Sequence, residues 1–436
     1  MGYERTVFTG DDDPELECVA GLDLGKAELS CCVRRTSPPG TRVAPVVSTW
    51  PTMTNSLTDL ANMLVSERVD LVAMEATSDY WKPVLYTLEA HGLNVIVVNA
   101  KHFKHLPGRP KTDILDSQWL ARLASKGMLR ASFIPHYDIR RIRDLTRDRV
   151  SLVSQRTANK NRVEKLLEDA CIKLSIVASD IFGVSGRLMM AALIDGQRDP
   201  QVLAEMAKGR MRVKMNDLVE ALTGRFTDHH GFRLKLLLDL IDILDRDIAI
   251  LESRIDDLIR PYQHQRDQLD AIPGIDQNIA AAIIAEVGVD MSRFATPAHL
   301  ASWAKFAPGV NQSAGRSGSK AKGKGNPFLS RALGQASVAT RRTDTFLGAR
   351  YRSLRRRIGK KKALVAVAHS ILTIIWHLLS DPQATFNELG SDHYSRRLNP
   401  ERTIQTHKKA LEKLGFTVTL QPDNPHRQSE TSTPCQ

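Results

Sequence analysis

Four acidic residues stand at the edges of predicted elements in the first third of the chain. Asp23 and Glu75 each end an apolar stretch that reads as a strand, and Asp113 and Asp116 lie three apart at the start of a predicted helix. That spacing places the last two on one helix face. Single acids at such positions are commonly just solvated, but the joint order favours a site for hard divalent cations. We expect Mg2+, with two ions clamping a phosphoryl transfer.

The elements around these acids predict a mixed α/β domain. Strands are expected over Val19–Asp23, Leu29–Arg34, Val43–Thr49, Val69–Glu75 and Leu93–Val98, with helices over Asn55–Ser66 and Tyr80–His91. Thr112 is expected to cap the acid-bearing helix that follows. A strand hairpin that precedes alternating helices and strands is the pattern that an RNase H-like fold requires.

Composition indicates a soluble protein with a polyanionic partner. The 436 residues contain 61 Lys and Arg against 49 Asp and Glu, a net charge of +12, which favours nucleic acid over a membrane surface. The five cysteines show no C-x-x-C spacing, which predicts a reduced, cytosolic protein without a zinc site. The polar start of the chain predicts no secretory signal. The apolar run Ala363–Leu379 is interpreted as a buried helix, so no membrane partner is expected.

Basic residues recur in four stretches that are predicted to contact phosphates. They lie in the loop before the acid-bearing helix, in a long helix after Tyr137, in a small-residue loop near residue 315 and in a late cationic helix. A solvated or salt-bridged surface is the alternative for each stretch. The candidates are Lys101, Lys104, Arg109, Lys111, Arg140, Arg141, Arg147, Arg149, Arg156, Arg316, Lys320, Lys322, Lys324, Arg355 and Arg356.

A heptad seam occupies the middle of the chain. Its apolar residues step by three and four before Pro261, namely Leu234, Leu237, Ile241, Leu244, Ile248, Leu251, Ile255 and Leu258. The seam predicts a coiled coil. The partner is either the helix over residues 140–174 or a second chain, and we slightly favour the second chain. A homo-oligomer, either a dimer or a tetramer, is therefore expected.

The C-terminal third carries two further motifs. Pro273-Gly274 resembles a helix-hairpin-helix turn that could hold a phosphate, although Asp276 replaces the usual second glycine. The segment 308–320 is rich in small and basic residues, which is typical of a flexible loop that touches nucleic acid, and it contains Ser313, Ser317 and Ser319.

Taken together, these phrases resemble the DEDD-type transposases of the insertion-sequence one-ten family, whose relatives include Piv-like DNA invertases. The matching phrases are Gly21–Lys26, Met74–Trp81, Val97–Ala100, Lys111–Asp116, Pro273–Ile275, Phe306–Gly315 and Lys324–Asn326. The resemblance implies a RuvC-like domain with acids Asp23, Glu75, Asp113 and Asp116, and a transposase domain with a nucleophilic serine. Ser313 is the first candidate, ahead of Ser317 and Ser319. It also implies donor and target DNA, a guide (bridge) RNA, and a bacterial or archaeal cytoplasm.

The predicted organisation has five parts. They are a leader (1–17), a RuvC-like DEDD domain (18–136), a basic helix and coiled-coil region (137–265), a mostly helical transposase domain (266–385) and a polar tail (386–436). Because Ser313 is far along the chain from the acids, the two domains must meet, within a chain or across a subunit boundary. The alternatives are a RuvC-like nuclease or junction resolvase that uses water, a site-specific invertase, and an inactive nucleic-acid-binding scaffold.

Overall fold

The computed structural model describes residues 16–36, 43–76, 78–99, 112–307, 310–313, 316–319, 323–393 and 400–420. The chain divides into two compact units, residues 1–136 and 137–436. The five-part organisation expected from the sequence is finer than this division and stays a prediction.

The N-terminal unit is built on a five-stranded mixed sheet with the order β3-β2-β1-β4-β5. Its strands are β1 Cys18–Leu24, β2 Glu28–Arg35, β3 Val46–Pro51, β4 Leu71–Glu75 and β5 Val95–Val98. The first three strands pair antiparallel, whereas β4 and β5 run parallel to β1. The predicted mixed sheet, which begins with a hairpin and continues into alternating helices and strands, is confirmed.

Helices cover both faces of this sheet because its central strands are apolar on both sides. Helices α1 Thr54–Ser66 and α2 Trp81–Ala90 pack on one face, where Leu22 and Met74 belong to the main core. The other face carries Val19 and Ala73 and is covered by α3 Asp113–Ala124. Alternation along β1 and β4 thus assigns each side chain to one face.

Two long helices are the largest described elements of the second unit. They are α4 Tyr137–Asp169 and α9 Asp228–Ile259, and they run antiparallel. Arg149 of α4 binds Glu252 (Nε to Oε1, 2.7 Å), and Arg156, further along α4, binds Asp245 (2.5 Å). The predicted coiled coil is present, but the slight preference for a second chain as partner of this seam is wrong. Most of the seam is buried against the chain's own helices.

Short helices fill the space between the two long ones and share a core with them. Their bounds are α5 Leu174–Val177, α6 Val184–Ile194, α7 Pro200–Glu205 and α8 Met215–Leu222, with a 3-10 turn at Gly209–Lys214. Buried residues of these helices, such as Met189, Leu203 and Leu218, pack with Leu166 and Leu234 of the long helices. The region between residues 175 and 230, weakly patterned in sequence, is therefore part of a helical bundle.

The rest of the second unit is helical around one hairpin. Its elements are α10 Gln263–Asp270, α11 Gln277–Val287, α12 Pro297–Trp303, β6 Val310–Ser313, β7 Arg316–Ser319, α13 Pro327–Ala339, α14 Phe346–Ile358, α15 Lys360–Ser380 and α16 Pro400–Lys413. Three short 3-10 turns lie at Arg260–Tyr262, Met291–Arg293 and Thr340–Arg342.

Helix α15 is long and apolar enough to cross a membrane by length and composition alone. Eight of its residues are buried inside the protein, and Trp376 donates a hydrogen bond to the Phe294 carbonyl at 2.7 Å. The helix packs against α13 and α14. It therefore forms the core of this part of the chain, as the sequence predicted.

Candidate active site

Asp23 and Glu75 lie on neighbouring parallel strands. The register pairs Leu22 of β1 with Met74 of β4, so the two acids occupy the next position along each strand. Side chains alternate along a strand, and Val19 and Ala73 of these strands face α3. Asp23 and Glu75 therefore share the face that α3 covers, at the edge where both strands end. Glu75 is buried with 5% of its surface exposed, and Asp23 is half-buried.

Helix α3 lies against β1 at Gly21. A Cβ atom added to Gly21 would lie 2.3 Å from the Ser117 carbonyl oxygen and 2.5 Å from the Ala121 backbone nitrogen. Only glycine allows this approach of helix to strand. Further along α3, Ala124 packs with Val19. The helix thus runs antiparallel to β1, and its first turn lies toward Asp23.

The first turn of α3 carries the other two acids. Thr112 caps the helix as predicted, because its Oγ1 accepts a hydrogen bond from the Leu115 backbone N–H at 3.3 Å. Asp113 is the first residue of the helix, although its side chain lies outside the described part of the structure. Asp116, half-buried, follows one turn later, and its backbone N–H donates to the Thr112 carbonyl. The fold therefore directs all four acid positions to one edge of the sheet.

This donor set fits divalent cations in type, and the fold brings its positions to one edge of the sheet. Carboxylate oxygens are the ligands that Mg2+ prefers, and two strand ends facing a helix start can supply several of them. Among the side chains that the structure describes, which exclude Asp113, no three acidic, histidine or cysteine groups are arranged to hold one ion. The fit therefore rests on the strand register and on the Gly21 contact.

Ser313 ends strand β6 of the small hairpin. It pairs with Arg316, the first residue of β7, so it stands next to the turn. Ser317 pairs with Gln312 and Ser319 with Val310, which places these serines progressively closer to the base of the hairpin. The side chains of both strands lie outside the described part of the structure.

Two family models match the chain. The DEDD transposase model of the IS110 family matches residues 20–172, which include all four acids. The model described as Transposase IS116/IS110/IS902 family matches residues 266–352, which include Ser313. Together these matches span more than half of the chain. The chain belongs to the IS110 family of transposases.

The family membership confirms the resemblance seen in the sequence and the expected fold class. The protein is a transposase, an enzyme that acts on DNA, with an RNase H-like DEDD domain followed by a mostly helical region. Enzymes of this type generally depend on divalent metal ions. Among solved structures, the chain is similar to Thermus thermophilus RuvC, with 15% identity, coverage of 26% of this chain and 99% of that chain, and a TM-score of 0.21. No curated protein matches the sequence.

The structure shows the surroundings of four predicted nucleic-acid contacts on α4 of the transposase. Arg147, Arg149 and Arg156 form ion pairs with Glu286, Glu252 and Asp245, and Arg140 is buried. The acids that neutralise α4 come from elements about 90 to 140 residues away in sequence. Three of these four arginines are therefore held in ion pairs and one is buried, and their predicted contacts with phosphate stay predictions. Arg141, which is exposed, stays a prediction.

The remaining basic candidates divide by what the structure describes. Lys324, Arg355 and Arg356 are exposed. Lys101, Lys104, Arg109, Lys111, Lys320 and Lys322 lie outside the described residues, as does the side chain of Arg316.

The Pro273-Gly274 turn packs inside the transposase. Gly274 has φ +90°, and a Cβ there would lie 2.5 Å from the Ala336 carbonyl oxygen of α13. The Asp276 carboxylate accepts from the Ile279 N–H at 2.7 Å and thereby caps α11. A carboxylate at this helix start repels a second anion. The turn thus packs against α13, and the phosphate contact expected there stays a prediction.

Proposed function

We propose that this transposase cleaves and rejoins DNA through a covalent serine–phosphate intermediate, with Mg2+ held by Asp23, Glu75, Asp113 and Asp116. Ser313 is the proposed nucleophile. Donor and target DNA are the substrates, and a guide RNA selects them. The guide RNA rests on the family resemblance, and RNA co-purifying with the protein from its host would support it.

One observation carries this proposal, namely the contact of α3 with β1 at Gly21. It fixes the first turn of α3 beside the ends of β1 and β4, so that Asp116 approaches the edge on which Asp23 and Glu75 lie. Bound there, Mg2+ would stabilise the negative charge that builds on a scissile phosphate. The four carboxylates would hold the ions at this edge, where a scissile phosphate could then be bound.

The serine step forms one bond and breaks one bond. The Ser313 Oγ–phosphorus bond forms while the phosphorus–oxygen bond of the DNA strand breaks, so phosphate ester energy is conserved in phosphoserine. The hydroxyl proton passes to a base, and the leaving DNA oxygen takes up a proton. Attack by a DNA hydroxyl on the phosphoserine reverses these changes. Rejoining therefore requires no ATP.

Exposed apolar residues on α9 support a homo-oligomer. Phe232, Leu236, Leu240, Ile243 and Ile250 are each at least 43% exposed and recur every three or four residues, apart from one wider step. A contiguous apolar stripe of this kind is typical of an interaction surface.

A second copy of α9 is the partner that the charges favour. Lys235 lies six residues before Ile241, and Asp247 lies six residues after it. Antiparallel pairing of two copies centred at that level places Lys235 of each copy opposite Asp247 of the other. It also places Phe232 opposite Ile250. The interface is then isologous, as in most dimers.

The test of the proposed reaction is covalent capture of DNA by Ser313. The transposase purified from its host is incubated with Mg2+ and a supercoiled plasmid that carries the ends of its element. We expect the wild-type protein and the Ser319→Ala control to form a protein–DNA adduct, and Ser313→Ala to form none. Adduct formation by Ser313→Ala would reject the assignment.

The alternatives give different results in the same experiment. A RuvC-like nuclease or junction resolvase that uses water would cut the plasmid without an adduct, and Ser313→Ala would remain active. A nucleic-acid-binding scaffold would bind the plasmid in a salt-dependent manner and leave it intact with Mg2+.

A further inference from the structure

A buried carboxylate contacts Asn326, which follows the segment that carries Ser313. Glu286, the penultimate residue of α11, is 1% exposed. Arg147 donates to it twice, from Nε to Oε1 at 2.8 Å and from a terminal nitrogen to Oε2 at 2.9 Å. Asn326 donates its side-chain amide to Oε2 at 2.5 Å. A buried charge is tolerated when it is paired and hydrogen-bonded in this way.

The same network joins three helices. Arg143 donates to the backbone carbonyls of Ala285 and Glu286 at 2.8 and 2.9 Å, and thus binds the end of α11. Arg147, one turn later on α4, places its guanidinium 4.6 Å from the centre of the Phe328 ring in the first turn of α13. Burial lowers the pKa of Arg143 to about 10, with Glu286 opposing the shift. Burial also acts to lower the pKa of Arg147, but its contacts with Glu286 outweigh burial and raise the pKa, so both arginines remain charged at neutral pH. Helix α4 therefore holds α11 and α13 through charged contacts.

Asn326 connects this network to the hairpin. Its Oδ1 accepts from the Phe328 and Leu329 backbone N–H groups at 2.9 and 3.2 Å, which caps α13, while its amide nitrogen reaches Glu286. Each end of the Asn326 amide thus has a fixed partner. The residue directly before it, Gly325, ends the segment 306–325 that contains the hairpin.

The residues just before this segment lie close to its last residues. A Cβ on Gly325 would lie 2.7 Å from the Ala304 carbonyl oxygen, and one on Gly323 would contact the Lys305 side chain. Lys305 itself has φ +61°, a left-handed conformation that is uncommon for a residue with a side chain. Residues 304–305 and 323–325, the described ends on either side of the hairpin, therefore lie together as its base, and Asn326 links this base to Glu286.

We propose that Glu286 is a positioning residue for the serine step, because it fixes the base of the Ser313 hairpin to helix α4 through Asn326. This inference rests on the proposed role of Ser313. A nucleophile that is displaced by about 1 Å can react about a hundredfold more slowly. Loss of the Glu286–Asn326 contact therefore slows the attack, although the nucleophile itself remains.

Asn326→Asp isolates this contact from helix capping. Aspartate keeps the cap of α13, since it is as good a cap as asparagine, but it places a second carboxylate against Glu286. We expect the rate of adduct formation on the plasmid to fall by about tenfold or more, while plasmid affinity stays within about twofold. Backbone amides of residues 310–319 are expected to exchange hydrogen faster.

A second variant separates loss of the contact from the added charge. Asn326→Ser keeps a good cap on α13, but its side chain is too short to reach Glu286, and we expect it to lower adduct rate and hairpin protection as Asn326→Asp does. Thr345→Ala, which removes the Thr345 hydroxyl that caps α14 at 3.2 Å, is the control for loss of a cap and should leave both measurements unchanged.

Two results would overturn the inference. One is an unchanged adduct rate in Asn326→Asp while Ser313→Ala forms no adduct, which leaves the proposed function intact. The other is an adduct rate in Asn326→Ser equal to that of the wild type. If Ser313→Ala itself forms the adduct, the proposed function fails, and the exchange measurement alone then decides whether Glu286 holds the hairpin.

Discussion

At the scale of single residues, the structure supports the positions of three of the four predicted acids. The positions of Asp23, Glu75 and Asp116 follow from strand register and from one helix contact. Their types and order were evident in the sequence because acids at element ends stand out against apolar strands. Gly21 was noted in the sequence only as part of a motif. The close approach of α3 to this residue can be seen only when the neighbouring helix is known.

Asp116→Asn tests the acids with an almost isosteric change. We expect DNA cleavage to fall by about a hundredfold or more because the amide replaces a charged ligand oxygen. The melting temperature should stay close to that of the wild type because Asp116 is only half-buried. The matched control is Asp59→Asn on α1, an exposed residue on the helix that covers the other face of the sheet, and it should cleave normally. Full activity of Asp116→Asn would exclude this residue from the site.

At the scale of elements, the contact between α3 and β1 makes a sharper prediction. Gly21→Ala forces a Cβ to within about 2.5 Å of α3 backbone atoms, so the helix must move away. We expect the free energy of unfolding to fall by about 1–3 kcal/mol, measured by urea denaturation. DNA cleavage should fall by about a hundredfold, since the first turn of α3 moves with the helix.

Gly334→Ala is the control for this substitution. A Cβ at Gly334 meets no heavy atom within 4 Å in the described part of the chain, and the residue lies inside α13. Alanine favours a helix over glycine by about 1 kcal/mol, so this variant should be at least as stable as the wild type. If Gly21→Ala behaves like Gly334→Ala, the proposed packing of α3 is incorrect.

Helix α15 gives a pH-dependent prediction. Burial, reinforced by the positive charge of Arg350 on α14, lowers the pKa of His369 below its usual 6.5. The unfolded chain then binds more protons than the folded chain just below pH 6.5, so this contribution to stability is complete above that pH and is lost as the pH falls. We expect the melting temperature of His369→Asn to fall less than that of the wild type between pH 7.5 and pH 5.5. An identical pH dependence of the two proteins would contradict the assignment.

At the scale of the whole molecule, the sequence predicted the elements better than their partners. The heptad seam of α9 and the arginines of α4 were both evident, but periodicity identifies a face and does not identify what covers it. The two helices cover each other, and Glu252 and Asp245 neutralise α4 from a distant part of the sequence. The seam therefore predicted the coiled coil correctly, but the slightly favoured partner, a second chain, was wrong.

The exposed stripe on α9 predicts self-association. Leu240→Glu places a charge at its centre, so we expect the oligomer to dissociate toward the monomer, with the mass measured by light scattering during gel filtration. Val213→Glu, which adds the same charge at an apolar residue that is 90% exposed and lies outside α9, is the control and should preserve the oligomer. If Leu240→Glu has the same mass as the wild type, α9 is not the interface.

The central claim is that Ser313 becomes joined to DNA, and the mass of one peptide tests it most directly. Trypsin cuts after Lys305, Arg316 and Lys320, so residues 306–316 contain Ser313 as their only hydroxyl side chain, and residues 317–320 contain Ser317 and Ser319. The protein–DNA adduct is digested with nuclease and trypsin, and the peptides are weighed by mass spectrometry. We predict a nucleotide on the peptide 306–316. A nucleotide on the peptide 317–320, or on any peptide outside the hairpin, would contradict the account.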